Sequence, residues 1–165
     1  MLDPSELLAL ARDLAGRGSA RDGELRRSIS TAYYALFHAT LKAAAERFVG
    51  RAGRASPAYG LLYRGFSHGR MREICIAIER PTLSRRYREI LGRDVASEAA
   101  REFAENFHRL QALRHAADYD PQAVFRPADA QDVCDSADRA MQALARIDAP
   151  EATDLLALLL VDSRA

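Results

Sequence analysis

Two short stretches of this chain hold the side chains best suited to chemistry. The first is Leu25-Arg26-Arg27-Ser28-Ile29-Ser30-Thr31-Ala32-Tyr33-Tyr34-Ala35-Leu36-Phe37-His38. On a helix, Arg27, Ser30 or Thr31, Tyr34 and His38 fall in one row. A polar row beside an apolar face can hold two helices in register, can face a ligand, or can simply be solvated. Its tyrosines can bury their rings and keep a hydroxyl for a partner. The second stretch is Arg109-Leu110-Gln111-Ala112-Leu113-Arg114-His115-Ala116-Ala117-Asp118-Tyr119-Asp120. Arg114 follows Leu110 by one helical turn and Phe107 by two, so it lies on or beside the inward face. An arginine placed there needs a partner, because an unpaired buried charge is costly. Asp118, one turn later, is the local candidate, and Arg114 would then help clasp the turn that begins at Tyr119. Arginine can neutralise charge on phosphorus and grip its oxygens in pairs. Histidine can take a proton near neutral pH, whereas an ordinary tyrosine is a weak base there.

Helices must position these groups. Leu7, Leu8, Leu10, Ala11 and Leu14 mark a first helix from Asp3 or Pro4 to about Ala15, ended by Gly16 and Gly18. With Asp22 as a plausible cap, a long helix runs to about Val49 and stops at Gly50. Ile29, Tyr33, Leu36 and Thr40 give it one apolar file and Leu25, Ala32, Ala35 and Ala39 another, an arc wide enough for the centre of a bundle. Residues 51–69 read as irregular, with a single turn around Ala58 to Tyr63, because Gly53, Pro57, Gly60, Gly65 and Gly69 interrupt the pattern. Short helices follow at 70–80 and at Leu83 to Leu91. Ser97 caps a firm helix with the stripe Phe103, Phe107, Leu110, Leu113 and Ala117. Phe125 and Pro127 fall in the next loop. A helix over 129–147 turns Val133, Ala137, Ala140, Met141, Leu144 and Ile147 inward. After Asp148 and Pro150, the apolar run Leu155 to Val161 suits a short helix packed on the bundle or on a second subunit. No strand pattern competes. The expected fold is all-α, an up-down bundle of four to five main helices with short extra ones, in a single domain over 1–165.

The bulk properties bound the function. The 165 residues are 48% hydrophobic and 28% charged, ordinary for one globular domain. No segment is long and apolar enough for a membrane span and no export pattern opens the chain, so a cytoplasmic location without a membrane partner is expected. Cys75 and Cys134 read as free thiols in a reducing compartment. Net charge is +1 but unevenly spread: residues 51–93 hold ten arginines against three glutamates, and residues 129–165 hold three basic against eight acidic groups. The basic middle could lie against the acidic end, dock a second copy head to tail, or attract phosphate. Arg85, Arg86 and Arg88 around Tyr87 could touch a nucleic-acid backbone, an acidic partner or only water. His68 and His108 read as surface or helix-end residues. No histidine spacing indicates a metal, Asp118 and Asp120 alone do not make a magnesium site, and no phosphate-loop or dinucleotide pattern is present. Neither metal nor cofactor is expected.

The two stretches resemble those of HEPN domains (higher eukaryotes and prokaryotes nucleotide-binding domains). The likeness lies in the early arginine–serine–tyrosine–tyrosine helix and the later arginine–alanine–aspartate–tyrosine helix end. It implies a bundle that usually dimerises, with a cleft where two copies of the arginine-bearing helix end meet. Many HEPN members are metal-independent RNA nucleases with four to six residues between an arginine and a following histidine, a spacing met by Arg109 and His115 with five residues between them. Taking Arg114 as the family arginine puts Tyr119 where the nuclease branch has histidine. That site would bind phosphate and cleave it poorly, unless His115 or His38 turned into the cleft. The resemblance thus implies a homodimeric module that binds a nucleotide, RNA or partner protein. Arg114, Asp118, Tyr119, Arg27, Tyr34 and His38 would line its site. It would work beside a separate nucleotidyltransferase, in a toxin–antitoxin or defence pair. One alternative is a metal-independent endoribonuclease using Arg109 or Arg114 with His115 as catalytic groups. The other is a purely structural dimeric helical protein.

Overall fold

A computed structural model describes residues 2–17 and 20–161. Eight α-helices occur among them and no strand: α1 Pro4–Ala15, α2 Asp22–Val49, α3 Pro57–Arg64, α4 His68–Ile78, α5 Arg85–Leu91, α6 Glu98–Tyr119, α7 Pro127–Arg146 and α8 Ala149–Leu160. They form an up-down bundle with the long α2 at its centre. α2 packs on α1, α6 and α7, and more lightly on α3 and α8. Its 28 residues bury side chains nearly all the way round, including the unbroken run Ser28 to Tyr33. The polar members of that run must find partners inside. Ser28 Oγ accordingly donates to the Ala11 carbonyl at 2.7 Å, and Thr40 Oγ1 to that of Leu36 at 2.9 Å. One apolar cluster joins α1, α2, α4, α5, α6, α7 and α8, with Tyr33, Phe103 and Phe107 its largest buried side chains.

Helix ends account for several departures from the expected boundaries. Residues 51–69 are largely helical: Arg51–Gly53 makes a 3-10 turn, and α3 then begins at Pro57. Proline fits the first helical position, where no N–H is needed, and Ser56 Oγ accepts the Tyr59 N–H at 3.2 Å. Gly60 is carried inside the helix and does not break it. The arginine-rich 51–93 region is thus built of three helices and a turn. Asp22 is the first helical residue of α2 and not its cap. The cap position is Arg21, whose N–H donates to the Glu24 carboxylate at 2.9 Å. Pro127 opens α7 where a loop was expected. Leu10 turns outward, 47% exposed. Gly18, the second expected stop of α1, lies outside the described residues.

α8 packs on the bundle itself, against α2, α4 and α5, and buries Leu155, Leu156, Leu158 and Leu159. Its Glu151, 1% exposed, accepts from Arg93 Nη1 and from the Ser97 N–H, each at 2.9 Å. Arg93 ends the basic segment and Glu151 lies in the acidic one, so part of the charge asymmetry is matched within the chain. Cys75 and Cys134 are free and buried. No helix among the described residues is long and apolar enough to cross a membrane.

Candidate functional site

The last turn of α6 must satisfy carbonyls that the helix itself leaves without donors. It has no glycine after it and no basic residue within it. Arg26, reaching across from α2, fills the role. Its Nη1 donates to the carbonyls of Ala117 (3.0 Å) and Asp120 (2.8 Å), and its Nη2 to that of Ala123. Nε donates to Asp22 at 2.7 Å, and the guanidinium lies over the Phe125 ring, 5.5 Å from its centroid. Sequence reasoning gave Arg26 no role. The signal was available: a helix end with no glycine or cation of its own needs a cation from elsewhere.

One turn before that end, Arg114 sits between two aromatic rings. Its guanidinium carbon is 5.4 Å from the Tyr34 centroid and 5.5 Å from that of Tyr119. Nη2 donates to Tyr34 Oη at 2.7 Å. Nε lies 2.8 Å from Asp118 Oδ2, an ion pair by distance, but its N–H is not aimed along that line and forms no aligned hydrogen bond. Asp118 Oδ1 also accepts from Ser30 Oγ at 2.5 Å. Burial works to lower the Arg114 pKa; the Tyr34 hydrogen bond and the charge of Asp118 outweigh it and hold the pKa above its ordinary value. The third nitrogen, Nη1, bonds no described residue, and the side chain is 20% exposed.

The expected row on α2 therefore divides. Ser30 and Tyr34 turn to α6 and fix it against α2. Arg27, Thr31, Tyr34 and His38 also line a groove of about 500 Å³ whose other wall is α1, including Leu7 and Leu10. Tyr34 takes part in both.

Two histidines close the site from the far side. His68 opens α4 and is half-buried, not a surface residue: its ring stacks on Phe37 with centroids 4.0 Å apart. Its Nδ1 shares a 2.7 Å hydrogen bond with Tyr33 Oη, and its carbonyl accepts from Gln111 Nε2 at 3.0 Å. Gln111 precedes Arg114 by one turn, which ties the start of α4 to this part of α6. His38 Nδ1 shares a 2.9 Å bond with Tyr63 Oη. Burial lowers the pKa of His38, and burial with the nearby Arg114 charge lowers that of His68, so both are neutral at pH 7. Burial raises the pKa of Tyr33 well above the tyrosine range. That hydroxyl keeps its one proton, and His68 Nδ1 is the acceptor within reach. The neutral ring then carries its own proton on Nε2. Nothing local in the sequence marks His68; packing alone brings it here.

Arg109 and His115 are not brought together within the subunit. Six positions along a helix turn a side chain by about 600°, leaving the two about 120° apart around α6. Arg109 is exposed toward the end of α4, and His115 is exposed with its ring 4.9 Å from Tyr119. Among the described residues no group of three histidine, cysteine or carboxylate side chains is placed to hold a metal ion.

No family model, no curated protein and no solved structure matches this chain. The functional reading rests on the site itself. A guanidinium with one nitrogen still available, flanked by tyrosine rings and neutral imidazoles, can receive an anion. The imidazole beside it has its acceptor nitrogen occupied, which suits holding a phosphate better than removing a proton near it.

Proposed function

We propose that this chain is a HEPN-type helical module that binds the phosphate of a nucleotide or RNA at Arg114 without cutting it. The observation that carries the reading is the available Nη1 of Arg114, while Nη2 bonds Tyr34 and Nε lies within ion-pair distance of Asp118. Tyr119, 64% exposed at the helix end, offers a ring on which a base can stack. The module acts as a homodimer, paired with a separate nucleotidyltransferase in a toxin–antitoxin or defence system. The HEPN likeness is the basis for that part.

Binding of AMP and of a short fluorescent RNA at low salt tests the reading. Arg114→Ala should keep its helical circular dichroism and lose affinity by about tenfold or more. Should that variant unfold, Arg114→Lys, which keeps the charge but not the planar fork, is the second test: it should fold and bind more weakly, and unchanged binding would favour a purely structural role for Arg114. A concentration-independent monomer mass by light scattering would refute the dimer.

The endoribonuclease alternative draws on the exposure of both Arg109 and His115, which leaves them open to a second copy. It requires RNA cleavage in EDTA that disappears in His115→Ala.

A further inference from the structure

The opposite side of α6, facing the end of α4, has a different character. A groove of about 700 Å³ runs along this seam. Three arginines line it, Arg80 from just beyond α4 and Arg101 and Arg109 from α6. No described carboxylate lies within ion-pair distance of any of them, whereas Arg12, Arg17, Arg26, Arg54, Arg93 and Arg146 all find one elsewhere. Glu105 also lines the groove and offsets one of the three charges. The other carboxylate there, Glu79, is engaged by His108, with Nε2 to Oε2 at 2.6 Å.

Two details indicate polar groups still open to a ligand. Arg101 Nε is buried and meets no hydrogen-bond partner among the described residues. A cationic donor left so is expensive, and native structures rarely keep one without a ligand or water to meet it. His108 is the second detail. Its Nε2 faces a carboxylate, so that nitrogen carries the proton, and its Nδ1 hydrogen-bonds no described residue. Pro81, Ala112 and Leu113 supply apolar surface between these polar groups.

We propose that the α4–α6 groove is a second ligand site, taking a nucleotide whose phosphate is gripped by Arg80, Arg101 and Arg109 and whose sugar and base lie along Pro81 and Leu113. Planar guanidinium forks match phosphate oxygens in pairs. A ribose hydroxyl, which can donate or accept, is the natural partner for His108 Nδ1. This site uses none of the residues around Arg114 and does not depend on that reading.

Nuclear magnetic resonance separates the two. AMP titrated into the ¹⁵N-labelled full chain should shift the Arg101 Nε–H and His108 ring signals in a saturable way. Arg80 and Arg109 are both exposed, so R80Q/R109Q should fold. It should weaken the response at those signals by about tenfold or more. The exposed arginines Arg72 and Arg86 lie outside both sites, and R72Q/R86Q should leave the response unchanged. Movement confined to signals of Tyr34 and Arg114 would overturn the proposal while leaving the Arg114 site standing. So would an unchanged response in R80Q/R109Q, or no response in the wild type. Tighter binding of a hexaglutamate peptide than of AMP by the same arginines would overturn it in favour of an acidic protein partner.

Discussion

The two sides of α6 carry the same functional group to different ends. Toward α2, Arg114 lies beside two tyrosine rings, paired with Asp118 and bonded to Tyr34, and Arg26 beyond it is engaged at every nitrogen by backbone carbonyls and Asp22. Toward α4, Arg101 and Arg109 share a groove with Glu79 and Glu105, yet no described carboxylate comes within ion-pair distance of either. The helix does not decide the difference; what the neighbouring helix supplies does. α2 brings Ser30, Tyr34 and Arg26 to the seam, and their hydrogen bonds make the arginine side of α6 part of the fold. The end of α4 brings another arginine and a glutamate already taken by a histidine.

Substitutions can break or sharpen this contrast. The largest effect should come from Arg26→Ala, which strips donors from three carbonyls at once. We expect a loss of about 2–4 kcal/mol by urea denaturation, and a fall below about 1 kcal/mol would mean water replaces the guanidinium without difficulty. Asp118→Ala should follow at about 1–2 kcal/mol, because Ser30 loses its acceptor and Arg114 its counter-charge. The same change should raise affinity for AMP at Arg114, since the freed Nε no longer has an internal anion beside it.

A pH effect should be smaller. The folded pKa values of His38 and His68 lie below the ordinary histidine value of 6.5. As pH falls through 6.5 the unfolded chain takes up protons first, so stability is full above that range and declines as pH drops toward the folded values. Thermal unfolding should show a flat Tm above neutrality and a fall toward pH 5. His38→Gln should reduce the slope; an unaltered slope would assign the fall to other groups. Least of all, Arg109→Ala should change stability by no more than about 0.5 kcal/mol. A larger loss would show that the α4 side is structural too, and the contrast would collapse.

The long elements were legible because their signals are local. The apolar files of α2 and the Phe103, Phe107, Leu110 stripe of α6 repeat at the helical period, and Gly50 closes α2 with a backbone φ of 82°, open to glycine at no steric cost. α3 was read as only a single turn around Ala58 to Tyr63 because Pro57 and Gly60 count as breakers when position is ignored, yet proline at the first helical position favours the helix. At the site, Arg114 with Asp118 could be read, since one turn of one helix joins them. The Ser30 and Tyr34 contacts were left open between register-holding and ligand-facing roles. His68 and the Glu79–His108 pair could not be read, because residues far apart in sequence meet only after α4 docks on α6.

The hold of Arg26 on Ala117, Asp120 and Ala123 has a consequence for the link between α6 and α7. A single planar fork reaches all three oxygens, so the connection is measured against the span of one side chain. Asp120, Pro121 and Gln122 face water and should accept many replacements. One residue added or deleted between Ala117 and Ala123 would carry at least one oxygen out of reach. The link should therefore vary freely in composition and hardly at all in length.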